Sequence, residues 1–157
     1  MAVQLDGTKA EVLNEDPLVI KNLKNWYHSH TYGGWSRFFQ GLTEGKLLGT
    51  RCTNRACRED RIFLPPRTDC PDCWRRTEWV EVKPRGRIYT FSEITYPGEL
   101  FRAQAPVHLI SVEIDGVCTK MMSYLWEGTP SFGMPVVAKF HTENPTNTIL
   151  DLCCEPV

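Results

Sequence analysis

The sequence lacks any apolar run of about 18 residues or more, so no segment is long enough to cross a bilayer as a helix. Met1 to Lys9 is polar and holds no apolar stretch of the kind that opens a secretory signal. A cytoplasmic location is therefore expected. Histidine is scarce, at four residues. No Ser/His/Asp set, phosphate-cradling glycine loop or paired carboxylates stand at an interpretable spacing, so this chain is not expected to carry catalysis itself. Net charge is nearly absent, at −1, which argues against a nucleic-acid binder that works by neutralising phosphates.

Cysteine is not lacking. Four of the seven cysteines fall in two close pairs within Arg51 to Trp74, namely Cys52 with Cys57 and Cys70 with Cys73. The pattern is C-x4-C, twelve residues, C-x2-C. Two short knuckles facing each other supply the four thiolates of a tetrahedral Zn2+. Thr53 and Asn54 suit the first turn, and Pro71 and Asp72 the second. The spacing predicts a structural zinc ribbon with Cys52, Cys57, Cys70 and Cys73 as ligands. Three other readings use the same residues. Two disulfides are disfavoured in a reducing compartment. A redox C-x2-C normally opens a helix after a strand, whereas Arg75 and Arg76 follow here. An iron–tetrathiolate centre shares the ligand set, and sulfur ligands alone do not separate it from zinc. Two alternating histidines, His28 and His30, are read as loop residues. Cys118, Cys153 and Cys154 are expected to pack as small apolar residues on strands.

At 157 residues with 41% apolar content, the chain fits one ordinary domain or two small ones. Between Arg51 and Arg87 there are ten Lys/Arg against six Asp/Glu, a local excess of positive charge. A tetrathiolate zinc centre would offset part of it. The mild basic patch that remains suits phosphates or an acidic protein surface, or is simply solvated.

Along the chain, Met1 to Asp16 reads as a loose arm, and Pro17 with Asp16 as cap reads as the start of a short helix carrying Leu18, Ile20 and Leu23. Aromatics crowd around Gly33-Gly34. Ser36 reads as the N-cap of a helix through Phe38, Phe39 and Leu42, stopped by Gly45. Lys46 to Cys52 and Ile62 to Leu64 read as ribbon strands. From Glu78 onward the pattern turns to strands. A long first strand runs to Tyr96, with a bend or bulge expected at Gly86. Alternating Ile110, Val112 and Ile114 follow, then Asp115-Gly116 as a hairpin turn, a return strand from Cys118 to Trp126, a fourth from Met134 to His141 and a fifth from Ile149 to Cys154. The expected fold is mainly β: an N-terminal arm and helical segment over 1–45, a zinc ribbon over 46–77, and a five-stranded OB-type barrel over 78–157 without the usual helix between its third and fourth strands. The second barrel strand would present Leu109, Ser111 and Glu113 outward, which offers neither stacking rings nor cations for a single strand of nucleic acid.

These features resemble a known family. The resemblance rests on Gly45-Lys46-Leu47-Leu48-Gly49-Thr50-Arg51-Cys52, on Pro65-Pro66-Arg67 before Cys70-Pro71-Asp72-Cys73, on Glu78-Trp79 leading to Gly86-Arg87-Ile88-Tyr89-Thr90-Phe91, and on Gly133-Met134-Pro135-Val136. It covers the chain from about Ser36 onward. The first knuckle departs from the family's commoner pattern, with four intervening residues instead of two. The family joins a rubredoxin-like zinc ribbon to an OB fold and serves as accessory subunits of thiolase-fold enzymes that act on CoA thioesters. The resemblance implies a non-catalytic subunit of an acyltransferase (thiolase-type) hetero-oligomer, a structural Zn2+, and an acyl-CoA ligand shared with the catalytic partner. Within the family it points to the small subunit of the thiolase that cleaves 2-benzoylsuccinyl-CoA in anaerobic toluene degradation. The alternative is a stand-alone nucleic-acid-binding protein, since both modules also serve there. The long loop between the first two barrel strands, with Tyr96, Phe101 and Arg102, is the candidate surface for reaching the partner's site.

Overall fold

The computed structural model describes residues 10–13, 19–22, 29–57, 61–97 and 103–157. The chain divides into two units, Met1–Thr31 and Tyr32–Val157. Among the described residues no helix is long and apolar enough to cross a membrane.

In the first unit, β1 (Ala10–Leu13) pairs antiparallel with β2 (Val19–Asn22), with Val12 opposite Ile20 and Glu11 opposite Lys21. This corrects the helix expected after Pro17. Val19 and Ile20 are β-branched neighbours and favour extended backbone. Asp16, Pro17, Leu18 and Leu23 lie outside the described residues.

The second unit opens with a 3-10 turn, Gly33–Trp35, that runs straight into α1 (Ser36–Thr43). Ser36 is consequently the first helical residue and not the cap. Its hydroxyl donates back to the Gly33 carbonyl at 2.7 Å. At the other end Gly45 takes φ 74. Its N–H donates to Leu42 O at 3.1 Å, and the Lys46 N–H donates to Gly41 O at 2.8 Å. Those two bonds close the helix as a Schellman motif, which explains why glycine stands there. The helix buries Phe38, Gly41 and Leu42.

The ribbon follows as a three-stranded antiparallel sheet in the order β4-β3-β5, from β3 (Leu48–Cys52), β4 (Ile62–Phe63) and β5 (Thr77–Glu81). Five more strands close a barrel: β6 (Arg85–Ile94), β7 (Val107–Ile114), β8 (Lys120–Leu125), β9 (Pro135–Phe140) and β10 (Leu152–Pro156), in the order β10-β8-β7-β6-β9. Closure depends on β6, which pairs with β9 through residues 85–87 and with β7 through 86–94. At Gly86 both partners engage the same residue. A β-carbon there would lie 2.2 Å from the Glu113 carbonyl oxygen. The bulge expected at Gly86 lies instead between Ile88 and Thr90, at Tyr89. Gly86 is present for close approach, not for a bend. The fifth strand starts later than expected because Ile149–Asp151 forms a 3-10 turn. Asp151 is fully buried and accepts bonds from the Thr146 and Asn147 amides at 2.8 and 2.7 Å, which holds the turn.

One apolar cluster runs through all three parts of this unit. Phe38 and Leu42 of the helix, Leu47 and Leu64 of the ribbon, and Ile88, Ile110, Val112, Met121, Val136 and Leu152 of the barrel belong to it. Polar bonds reinforce the join. The Thr119 hydroxyl donates to Leu64 O at 2.7 Å and accepts from Leu64 N–H at 2.9 Å. Cys118 donates to Ile62 O from its amide at 2.9 Å and from its thiol at 3.1 Å. Cys118 is thus an exposed donor in the β7–β8 connection and not an apolar strand residue. Cys153 and Cys154 are buried on β10.

Replacing Gly86 with alanine forces β6 away from β7 or β9. A loss of about 2–4 kcal/mol in unfolding free energy by chemical denaturation is expected, and a loss under about 0.5 kcal/mol would contradict the close-approach account.

Candidate metal centre

Two turns build the cysteine cluster. In the first, the Cys57 amide donates to Asn54 O at 3.0 Å, and the Asn54 side-chain oxygen accepts from Ala56 N–H at 3.1 Å. In the second, Cys70 N–H donates to Arg75 O and Trp74 N–H to Cys70 O, both at 2.8 Å. Thr53 ties the two turns together through its hydroxyl, which donates to Arg76 O at 2.6 Å. The sheet does the rest. β3 delivers Cys52, and β5 departs from the second knuckle opposite it, with Thr77 paired to Cys52.

The fold therefore brings together two cysteine pairs separated by twelve residues in sequence. The ligand atoms of Cys52, Cys57, Cys70 and Cys73 all lie within 4.8 Å of one another. Cys52 and Cys73 Sγ are 3.5 Å apart, and Cys57 and Cys70 Sγ are 3.7 Å apart. All four are free thiols, with no disulfide among them. Four sulfurs about 2.3 Å from a tetrahedral centre stand about 3.8 Å from each other. The cluster fits a metal ion of that kind, and zinc suits it. A hydrogen bond from the Arg75 backbone pulls Cys73 down to about 6, while desolvation and the neighbouring sulfurs push Cys57 up to about 12. Four thiolates repel one another unless a cation lies among them.

Among the described residues these four cysteines are the one group of three or more His, Cys, Asp or Glu that can hold a metal. His30 is exposed, and His28 lies outside the described residues. Cys153 contacts His141 at 3.5 Å, but burial raises its thiol to about 12. A thiol with that value stays protonated near neutral pH and is a packing group, not a nucleophile.

The candidate partner-facing loop is only partly visible. Tyr96 follows β6 and is 93% exposed. Phe101 and Arg102 lie outside the described residues. Sequence reasoning passed over two features near the ribbon. Arg37 of α1 lies over the Trp79 ring at 5.5 Å, bordering a groove of about 450 Å³ between α1 and β5. Trp74, directly after Cys73, has φ 57 and is 81% exposed. A signal for it existed in the sequence: a bulky residue at the position after C-x2-C, where the turn asks for glycine.

The structure thus defines a cysteine ribbon built onto a closed five-stranded barrel. Residues 79–141 match the family model described as ChsH2, C-terminal OB-fold domain. A 71-residue segment is 34% identical to a DUF35 domain-containing scaffold protein of Methanocaldococcus jannaschii, covering 44% of this chain and 48% of the relative. A second DUF35 domain-containing scaffold protein, from Methanothermobacter thermautotrophicus, is 32% identical over 71 residues, 44% of this chain and 50% of the relative. The chain spans about half the length of the curated relatives it matches. Among solved structures, a chain of the Ltp2-ChsH2(DUF35) aldolase superposes with TM-score 0.65 and 22% identity, over 82% of this chain and 98% of that one. A DUF35-family protein of unknown function from Sulfolobus solfataricus gives TM-score 0.59 and 23% identity, over 80% and 87%. At those identities the structural likeness concerns the fold.

Cys70→Ser removes the buried ligand of the second knuckle. Metal per chain, measured by elemental analysis, should fall from one to near zero, with a lowered melting temperature, because a structural metal contributes folding energy directly. Unchanged metal content would sink the assignment.

Proposed function

We propose that this chain is a non-catalytic accessory subunit of a thiolase-family complex acting on acyl-CoA thioesters, with a structural Zn2+ held by Cys52, Cys57, Cys70 and Cys73. The observation that carries the reading is the match of its barrel segment to the ChsH2 C-terminal OB-fold domain. Two further likenesses support it. A chain of similar fold belongs to the Ltp2-ChsH2(DUF35) aldolase, and the archaeal relatives are described as scaffold proteins. A metal staple and a closed barrel suit a chain that supplies shape, water exclusion and ligand contacts while its partner supplies chemistry. A reducing cytoplasm would keep the thiols available to the metal.

The finer reading assigns the partner as a thiolase-fold catalytic subunit in a hetero-oligomer, with acyl-CoA bound between them and the loop after β6 closing the entrance. The reaction proposed is the carbon–carbon cleavage of 2-benzoylsuccinyl-CoA in anaerobic toluene degradation. Binding of nucleic acid is the less favoured role. On β7, Glu113 is exposed and Ser111 is buried, so that strand offers no stacking ring to a base.

Co-expression with a thiolase-fold protein encoded by a neighbouring gene should yield a stable complex on size exclusion. Isolated, monodisperse chain with no affinity for that protein would count against the reading. The double substitution Phe101→Ala with Arg102→Ala should lower the partner's turnover by about tenfold, on the scale of losing a positioned contact, while leaving the chain folded. Unaltered kinetics would remove this loop from the mechanism.

A further inference from the structure

The second knuckle carries a residue that a metal site does not require. Trp74 occupies the left-handed region at φ 57, where glycine alone is free of steric cost. It exposes 81% of its surface, so its indole lies in water, where a large apolar ring is unfavourably placed. Neither feature serves the fold. Glycine would hold the same turn without the backbone strain and without the exposed ring.

The surroundings turn Trp74 into a rigid projection. Its amide donates to Cys70 O, and Cys70 N–H donates to Arg75 O, both at 2.8 Å. The root of the indole is therefore fixed by the same knuckle that holds Cys70 and Cys73. A side chain fixed in this way loses little further freedom on docking. Among the described residues the nearby acids are already paired. Asp72 is taken by Arg61, and Asp69 by Arg76 at 3.6 Å. Arg55 and Arg75 are exposed and have no acidic partner among the described residues.

We infer that Trp74, with Arg75 beside it in the chain, is the docking tip of the ribbon: the indole enters an apolar pocket on the catalytic subunit, and the arginine meets an acidic rim around it. This rests on the accessory-subunit reading and specifies where the partner is gripped. Trp and Arg are the residues that most often dominate protein interfaces, as a central ring in a desolvated pocket with charge at the margin. A nucleic-acid strand fits less well, because tracking a strand takes a succession of rings and cations along a groove, whereas this tip has one ring at a point.

The test uses the full-length, metal-loaded chain and the thiolase-fold protein encoded beside it, by titration calorimetry and stopped-flow mixing. Trp74→Gly should weaken binding by about tenfold or more, with one metal per chain retained and a melting temperature at or above that of the unaltered chain. Arg75→Glu should slow association and flatten its salt dependence, with the fold intact. Unaltered affinity in Trp74→Gly would overturn the inference, as would loss of metal, since Trp74 would then belong to the knuckle itself. A roughly 20-nucleotide single strand that binds the unaltered chain and is lost by both variants would overturn the choice of a protein partner. If the unaltered chain does not bind the thiolase-fold protein at all, the accessory-subunit reading fails, and this inference with it. If it binds but Trp74→Gly binds equally well, only this inference fails.

Discussion

The ribbon depends on four sulfurs that lie within 4.8 Å of one another. Its strands are two to five residues long, too short for backbone pairing to hold them against chain entropy. What closes the region is the cysteine cluster at one end and the barrel core at the other. A metal at the cluster would fix both knuckles at once, and through Cys52 on β3 it would fix the register of the sheet. Leu47 and Leu64 then present one apolar face to the barrel, where Thr119 and Cys118 satisfy the Leu64 and Ile62 backbone groups. Without those bonds the β4 edge would leave polar groups stranded beside the core, at about 1–3 kcal/mol each.

The helix α1 enters the same economy of burial. A barrel without a helix between its third and fourth strands has an end to cover, and Phe38 and Leu42 join the core cluster from a segment that precedes the ribbon in sequence. Each such side chain contributes about 2–3 kcal/mol of burial. Helix, ribbon and barrel thus support one another. That arrangement leaves exposed aromatic residues, Trp74 at the knuckle and Tyr96 after β6, available for contacts with other molecules.

Much of this was legible in the sequence, and the reasons are specific. The barrel strands announced themselves because Ile110, Val112 and Ile114 alternate and Asp115-Gly116 punctuates them. The four cysteines announced themselves by spacing. Gly45 was legible as a helix stop because φ 74 is glycine's conformation. Two of the misses, Gly86 and Cys118, depend on a neighbour that is remote in sequence; the others are local. Gly86 looked like a bend, but its lack of a side chain answers to the Glu113 carbonyl of another strand. Ser36 looked like a cap, but a 3-10 turn already occupied the preceding position. Cys118 looked apolar until β4 offered it the Ile62 carbonyl. The hairpin of β1 and β2 was obscured because Pro17 and the spacing of Leu18, Ile20 and Leu23 imitate a helix start. Trp74 was visible as a letter, but its left-handed backbone and exposure were not.

The proposed division of labour between a structural chain and a catalytic partner is most directly tested by reconstitution from separately purified subunits. Acyl-CoA cleavage is measured for the thiolase-fold protein alone, for this chain alone, and for the two mixed after metal loading. The account predicts no turnover from this chain, little from the partner alone, and restored turnover on mixing that saturates at a fixed subunit ratio. Turnover by this chain in isolation, or a partner whose rate is indifferent to its addition, would contradict it.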